Sequence, residues 1–261
     1  MPADRPVRQL RVFQVLPKTH THVANQPRIG HANAESARLL LGTVPVESDG
    51  SAYFRAPARK PLYFQAVDAA GRAIQSMRSA TYLQPGERRG CVGCHEPQRN
   101  TPTTRPTLAS KRAPSHLEPG PDGSRPLSYP RLVQPVLDRH CVRCHDGSTG
   151  ADASALILTG DPAPPFTRSY QNLKPFLRWF EWGGASIAEA STPPGRIGAD
   201  ASPLTRILED PTHRAKAALP DEDRRRLYLW LDANVPFYGT YSKEEQLAQF
   251  EGRAVPPPKV Q

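Results

Sequence analysis

Residues 129–145 read YPRLVQPVLDRHCVRCH, a short amphipathic segment that runs directly into a pentapeptide of the form C-x-x-C-H. Four apolar residues in it recur at the spacing of one helix face, namely Leu132, Val133, Val136 and Leu137. The same pentapeptide pattern occurs once upstream, as CVGCH at 91–95, and the two copies contain all four cysteines of the chain. The sequence is therefore organised around two motifs.

The segment before and around the first motif has the pattern of short strands and turns. Apolar runs alternate with Asp/Gly turns in five places, at Leu10–Leu16, Arg38–Val46, Ser51–Ala56, Pro61–Val67 and Ala73–Tyr82. Such runs predict a small antiparallel β-sandwich-like domain over residues 8–96. Residues 97–128 are rich in proline and lack periodicity, which predicts an extended linker or a wrapping loop.

The rest of the chain, residues 129–250, predicts a helical domain. Helix signals occur in five places, at Tyr129–Arg139, at Tyr170–Trp182 with an interruption at Pro175, at Ser202–Leu208, at Asp221–Asn234, and from the capping box Ser242–Glu245 to Phe250. The fold class that follows is α+β, loop- and proline-rich, with a β domain followed by a helical module.

Composition excludes several classes of protein. The chain is 38% hydrophobic, so it can bury a core, and 30 of its 261 residues are proline, which argues against long helices. No apolar run reaches the roughly 18 residues of a membrane span. The net charge of +9 lies in residues 1–130, but its basic residues are scattered, so no nucleic-acid partner is predicted.

The C-x-x-C-H pentapeptide is the attachment signature of c-type haem. Two thiols on one helical turn can each form a thioether to one vinyl group of a porphyrin, and the histidine that follows can take an axial position on iron. The sequence therefore predicts two covalent haems, attached at Cys91 and Cys94 with His95, and at Cys141 and Cys144 with His145. We call them haem 1 and haem 2.

The cysteine spacing also bears on other uses of the four thiols. Two disulfides would explain neither histidine, and a zinc ribbon has about 15–20 residues between its knuckles, whereas 46 residues separate Cys94 from Cys141. A thioredoxin-like pair would follow a parallel strand, and no βαβ pattern surrounds either motif. Zinc binding remains an alternative cofactor, and a zinc-stabilised binding module an alternative function.

The second axial position decides what each haem does, because an open site permits chemistry whereas two strong ligands favour electron transfer. His213 lies between two predicted helices in the same half as the second motif, so it is predicted as the distal ligand of haem 2. The candidates for haem 1 stay open and are His20, His22, His31 and Met77. His140 adjoins Cys141 too closely to reach the far face, which predicts a surface or propionate-contacting role.

Several short stretches resemble the hydrazine synthase α-subunit family, which includes multidomain proteins of planctomycetes. Middle-domain similarity is carried by LGTVPVE at 41–47, DGSA at 49–52, QAVD at 65–68, QPGE at 84–87 and CVGCHEP at 91–97. Similarity to the cytochrome c region that follows is carried by QPVL at 134–137, SPL at 202–204 and WLDAN at 230–234. The resemblance covers roughly Arg8 to Tyr241.

This resemblance implies further expectations. Family members carry a β-propeller before this region, which implies a separate or missing propeller as a partner. In hydrazine synthase the catalytic first haem is ligated by a tyrosine just after the motif, but residues 96–104 contain no tyrosine, which favours His95. The family's second haem is a bis-histidine electron-transfer centre, which supports His145 with His213.

The expected function is that of a di-haem c-type cytochrome that exchanges electrons with a redox partner protein, rather than an enzyme. The alternative is a haem enzyme related to hydrazine synthase with an open site at haem 1. Haem is attached to such motifs outside the bacterial cytoplasm, which predicts a periplasmic or other extracytoplasmic location. Residues 1–20 show no export signal, so an N-terminus that is not the native start is expected.

Overall fold

The computed structural model describes residues 5–18, 21–23, 25–33, 35–77, 79–92, 105–148, 156–181 and 194–257. Four antiparallel strands form a sheet in the order β2-β1-β3-β4, with β1 at Gln9–Val15, β2 at Arg38–Pro45, β3 at Leu62–Val67 and β4 at Ala73–Ser76. A two-stranded ribbon pairs β5, Pro162–Ala163, with β6, Phe166–Thr167. The described part of the chain is thus mixed α+β, as predicted.

Helices follow in the second half of the chain. Their bounds are α1 Tyr129–Leu132, α2 Gln134–His140, α3 Arg168–Leu173, α4 Gly198–Ala201, α5 Pro203–Glu209, α6 Pro211–Ala217, α7 Asp221–Asp232 and α8 Lys243–Phe250. Ser202 precedes α5 with proline at its first position, and the Ser242 side chain accepts a hydrogen bond from the Glu245 N–H, as the capping signals predicted.

The predicted first helix is split in two. The break falls at Val133, where Pro135 in the first turn of α2 cannot donate a backbone hydrogen bond. The predicted aromatic helix begins at Arg168 and gives way after Leu173 to a 3-10 turn at Lys174–Phe176, while its predicted end at Trp182 lies outside the described residues.

The sheet differs from the expected sandwich. Residues 51–56 are not a strand of the sheet; instead Phe54 makes an isolated parallel bridge with Ser115. Over the ranges that the structure describes, the only other strands are the short β5–β6 pair, so the sheet is not covered by a second sheet. The alternation of residue types in 51–56 is too weak to specify a strand without knowledge of its neighbours.

The described part of the proline-rich segment, 105–128, lies along the edge of the sheet. Thr43 and Glu118 exchange both backbone hydrogen bonds at 2.8 and 3.0 Å, and the Leu127 N–H donates to the Arg38 carbonyl at 3.0 Å. The segment therefore covers the exposed edge of β2, which would otherwise offer unpaired backbone groups to another chain.

The sheet and the helices share one hydrophobic core. Phe13, Leu40 and Tyr63 of the sheet belong to the same buried cluster as Tyr129 and Trp230 of the helices. A buried ion pair crosses the same boundary, since Arg11 of β1 donates to Asp232 at the end of α7 at 2.8 Å. The helical module therefore packs directly against the sheet and is not connected to it by the linker alone.

A second ionic cluster joins the N-terminal segment to the sheet and the helices. The Asp68 carboxylate accepts hydrogen bonds from Arg5 at 2.7 Å and from the Arg72 backbone N–H at 2.9 Å. Arg5 also donates to Asp200 at 2.6 Å. Burial raises the pKa of Asp68, but the Arg72 N–H and the Arg5 guanidinium outweigh it, so the pKa is lowered overall.

Replacement of Arg5 by alanine is expected to lower the free energy of unfolding by about 1–2 kcal/mol at pH 7. Because the pKa of Asp68 is lower in the folded state, its contribution is complete above the unfolded value of about 3.9 and is lost as the pH falls through the folded value. Urea unfolding at pH 7 and at pH 2.5 should therefore show a smaller difference between wild type and variant at the lower pH. Arg253→Ala, which removes an exposed pair with Glu251, should show little difference at either pH.

Candidate haem site at the second motif

The second motif forms one tight turn at the end of α2. The backbone N–H of Cys144 donates to the Cys141 carbonyl at 3.1 Å, and the N–H of His145 donates to the same carbonyl at 3.0 Å. Both cysteines are free, Cys141 buried and Cys144 exposed. One thiol thus faces the core and the other faces solvent, with the histidine directly after them.

The environment of Cys141 is apolar. Burial raises the pKa of its thiol to about 11, so the group is neutral at physiological pH. Redox-active cysteines have the opposite property, a lowered pKa that favours the thiolate. The apolar environment therefore disfavours the thiolate at Cys141.

The His145 side chain contacts the backbone of the chain at Leu156. Its Nδ1 lies 3.2 Å from the Leu156 carbonyl oxygen, which accepts a hydrogen bond from a protonated Nδ1. The neutral ring then has its lone pair on Nε2. This is the arrangement in which an imidazole is oriented as a metal ligand by a backbone carbonyl.

His213 lies on α6, and the prediction that it lies between helices was wrong. Asp210 caps α6 by accepting a hydrogen bond from the His213 N–H at 3.0 Å, and Pro211 occupies the first turn. The dipeptide Asp-Pro is the same start signal as Ser202-Pro203, so the sequence contained the information for this helix.

The helix of His213 lies beside the second motif. Burial lowers the pKa of His213, and repulsion from His145 lowers it further. The Nδ1 atom of His213 is buried and has no hydrogen-bond partner in the part of the chain that the structure describes. Arg143, inside the motif, donates to the Lys216 carbonyl of α6 and so ties the motif turn to the helix of His213.

These features fit the group that the motif implies. Two thiols on one turn, an adjacent imidazole fixed by a carbonyl, and a second imidazole with an unpartnered buried nitrogen are the donor set of a bis-histidine c-type haem. Cys141 belongs to the same buried hydrophobic cluster as Val136, Leu137 and Leu158.

Other predicted residues lie elsewhere or outside the description. Cys91 of the first motif is exposed, whereas Cys94 and His95 lie outside the described residues, and so does His20. His140 does not face the second motif's turn but lies 3.1 Å from Asp223, a buried carboxylate of α7.

The described candidates for haem 1 are in different environments. His22 is exposed, and Met77 is half-buried against the core. His31 is buried, stacks on Tyr170 at 4.2 Å between ring centroids, and has its Nε2 3.1 Å from the Tyr170 carbonyl. Burial lowers the pKa of His31 to about 4, so its ring is neutral at physiological pH.

Within the described ranges, no three or more His, Cys, Asp or Glu side chains converge in a way that would hold a lone metal ion. None of the helices in those ranges is long and apolar enough to cross a membrane.

Known proteins are similar to this chain both in sequence and in fold, and a family model matches its N-terminal part. Residues 6–96 match the family model described as the hydrazine synthase alpha subunit middle domain. Hydrazine synthase subunit alpha of Kuenenia stuttgartiensis is 22% identical over 215 residues, covering 62% of this chain and 27% of the relative. The solved structure of Kuenenia stuttgartiensis hydrazine synthase superposes with a TM-score of 0.51 and 17% identity, over 90% of this chain and 39% of that chain.

Fold and site together define an α+β protein in which a four-stranded sheet and a helical module with a C-x-x-C-H turn share one core. Residues 6–96 match the model of the hydrazine synthase alpha subunit middle domain, and the chain is similar to hydrazine synthase subunit alpha. The superposition shows a shared fold. The chain spans about a quarter of the length of the curated relative that it matches.

Proposed function

We propose that the protein is a di-haem c-type cytochrome that transfers electrons. The observation that carries the proposal is the turn of the second motif, in which the free thiols of Cys141 and Cys144 are followed by His145 and which Arg143 ties to the helix of His213. A haem bound there would supply a one-electron couple held within the protein. The chain's residues would tether it through two thioethers and occupy both axial positions.

The arrangement supports electron transfer rather than ligand chemistry at haem 2. A site with two imidazole ligands has no open position for a substrate, and its ligands are fixed by a backbone carbonyl on one side and a capped helix on the other. The proposal includes a redox partner protein, a propeller on a separate or preceding segment, and an extracytoplasmic location, where covalent haem is attached.

A second candidate function concerns haem 1. The match of residues 6–96 to a hydrazine synthase domain favours an enzyme in which haem 1 keeps an open site for a small substrate. Carbon monoxide binding to the reduced protein distinguishes the two functions. Binding at haem 1 would support the enzyme, whereas two low-spin haems that bind no carbon monoxide would support electron transfer alone.

The test is a count of covalent haems. The chain is produced in a host with c-type maturation machinery, denatured, and assayed as the pyridine haemochrome, with two haems per chain expected. Cys141→Ala/Cys144→Ala should reduce the count to one, because both thioethers of haem 2 are lost. Cys91→Ala/Cys94→Ala is the matched control and should also leave one haem.

Other counts would contradict the proposal. A single haem in the wild type that survives Cys141→Ala/Cys144→Ala would show that the second motif has another role. A colourless protein with stoichiometric zinc would replace the cytochrome by a zinc-stabilised binding module.

A further inference from the structure

The segment that holds His145 is itself held by two amide side chains. We call residues Leu156–Leu158 the histidine strap. Its first carbonyl lies 3.2 Å from His145 Nδ1, and at its other end the Leu158 N–H donates to the His145 carbonyl at 2.8 Å. The strap therefore grips both the ring and the backbone of the predicted haem 2 ligand.

One amide anchor comes from α3. The Asn172 side chain donates through Nδ2 to the Ile157 carbonyl at 2.9 Å. Ile157 is the middle residue of the strap, between the residue that contacts the His145 ring and the residue that contacts its backbone. Gly147 φ is +87°, and a Cβ there would lie 3.0 Å from Ile157 Cδ1, so the turn after the motif also packs closely on the strap.

The other anchor comes from α2. The buried Gln134 side chain donates through Nε2 to the Leu158 carbonyl at 3.1 Å, and its Oε1 accepts from the Ser169 hydroxyl at 2.6 Å. Ser169 also accepts a hydrogen bond from the Tyr129 hydroxyl at 3.0 Å. Gln134 is thus fixed by a buried polar network and is not free to follow a displaced strap.

We propose that Asn172 and Gln134 are positioning residues of the second haem site, which hold the histidine strap so that the Leu156 carbonyl sets the orientation of the His145 ring. The inference rests on the proposed function. Neither amide touches the thiols or the imidazoles in the structure, so both act through the backbone of the strap.

The expected consequence is electronic. A hydrogen bond from Nδ1–H to a carbonyl increases the basicity of Nε2, and a more basic axial ligand stabilises the oxidised state of a haem. If the strap is loosened, this bond weakens and the midpoint potential of haem 2 rises. A loss of ligand strength that is tenfold larger for the oxidised than for the reduced iron corresponds to about 59 mV for one electron.

The experiment is a redox titration of the full di-haem protein. The wave of haem 2 is identified by its loss in Cys141→Ala/Cys144→Ala, and haem content is measured first in every sample. Asn172→Leu keeps the branched shape of the side chain but removes the donor, and Gln134→Leu removes the donor at the other anchor. Each should raise the haem 2 potential by about 59 mV with haem 1 unchanged. Changes in the electron paramagnetic resonance of haem 2 should accompany the shift.

Gln171→Leu is the matched control. Gln171 is the neighbour of Asn172 on α3, and its Nε2 likewise donates to a backbone carbonyl, that of Ala163 at 2.7 Å, away from the strap. It should lower stability by a similar amount and leave the haem 2 potential unchanged. If Asn172→Leu does not fold, Asn172→Ala removes the donor without adding a charge, so the same upward shift is expected.

The outcomes are distinguishable. If the wild type and both variants carry two haems, and the haem 2 potential is the same in Asn172→Leu and Gln134→Leu as in the wild type, the positioning role is overturned. The proposed function would then remain intact. Equal shifts in Gln171→Leu would also overturn it, because the effect would then be a general loss of packing. Wild-type protein without haem at 141–145 would overturn both the proposed function and the inference.

Discussion

Replacement of Asp232 by alanine is expected to lower the free energy of unfolding by about 3–5 kcal/mol. Asp232 ends α7, and its side chain is 1% exposed, while that of its partner Arg11 in β1 is 6% exposed. The carboxylate accepts hydrogen bonds of 2.8 Å each from Arg11, from the Ala73 N–H and from the Ala199 N–H. Alanine would leave a buried guanidinium without its counter-ion and two backbone donors without an acceptor.

The large expected loss of stability follows from the burial of the Arg11–Asp232 pair. Arg11 is further bound to the Gly71 carbonyl and lies 3.4 Å from Gln65 Oε1, so it cannot swing to solvent without breaking several contacts. Removal of one partner of a buried pair costs far more than removal of a surface pair, because the remaining charge has lost its hydration. The pair also joins the sheet to the helices, so both should loosen together.

Denaturant unfolding followed by circular dichroism measures the change. Asp221→Ala is the control, since Asp221 begins the same helix and pairs with Arg224 at 2.8 Å but has a side chain that is 76% exposed. It should cost less than about 1 kcal/mol. A loss in Asp232→Ala no larger than that in Asp221→Ala would show that the pair does not couple the sheet to the helices.

Replacement of His213 by alanine is expected to abolish the low-spin spectrum of haem 2. The proposed function gives this haem two imidazole ligands, and the variant removes the one from α6 while His145 keeps its contact with the Leu156 carbonyl. Covalent attachment through Cys141 and Cys144 should persist. One of the two haems should therefore become high-spin and, when reduced, should bind carbon monoxide.

Optical and electron paramagnetic resonance spectra before and after carbon monoxide addition measure the change. His140→Ala is the control, because His140 also adjoins the motif but contacts Asp223 in the structure. It should leave haem 2 low-spin. An unchanged haem 2 spectrum in His213→Ala would show that another residue takes the distal position, and the assignment of His213 would fall.

Local signals in the sequence determined much of this protein. Some features depend only on residues within one or two helical turns of each other, so they can be predicted without knowledge of the rest of the fold. These are the two C-x-x-C-H motifs, the helix starts at Ser202 and Ser242, and the apolar spacing of α7. The similarity to hydrazine synthase alpha was likewise carried by short stretches and is confirmed by the match of residues 6–96.

Tertiary structure alone decided the rest. Residues 51–56 pair with the proline-rich segment rather than with the sheet, because a weak strand takes the partner that the fold presents. The contact of α6 with the second motif, the contact of the strap with His145 and the Arg11–Asp232 pair each join residues from different elements. No local pattern encodes such contacts, since they exist only once the core that unites sheet and helices has formed.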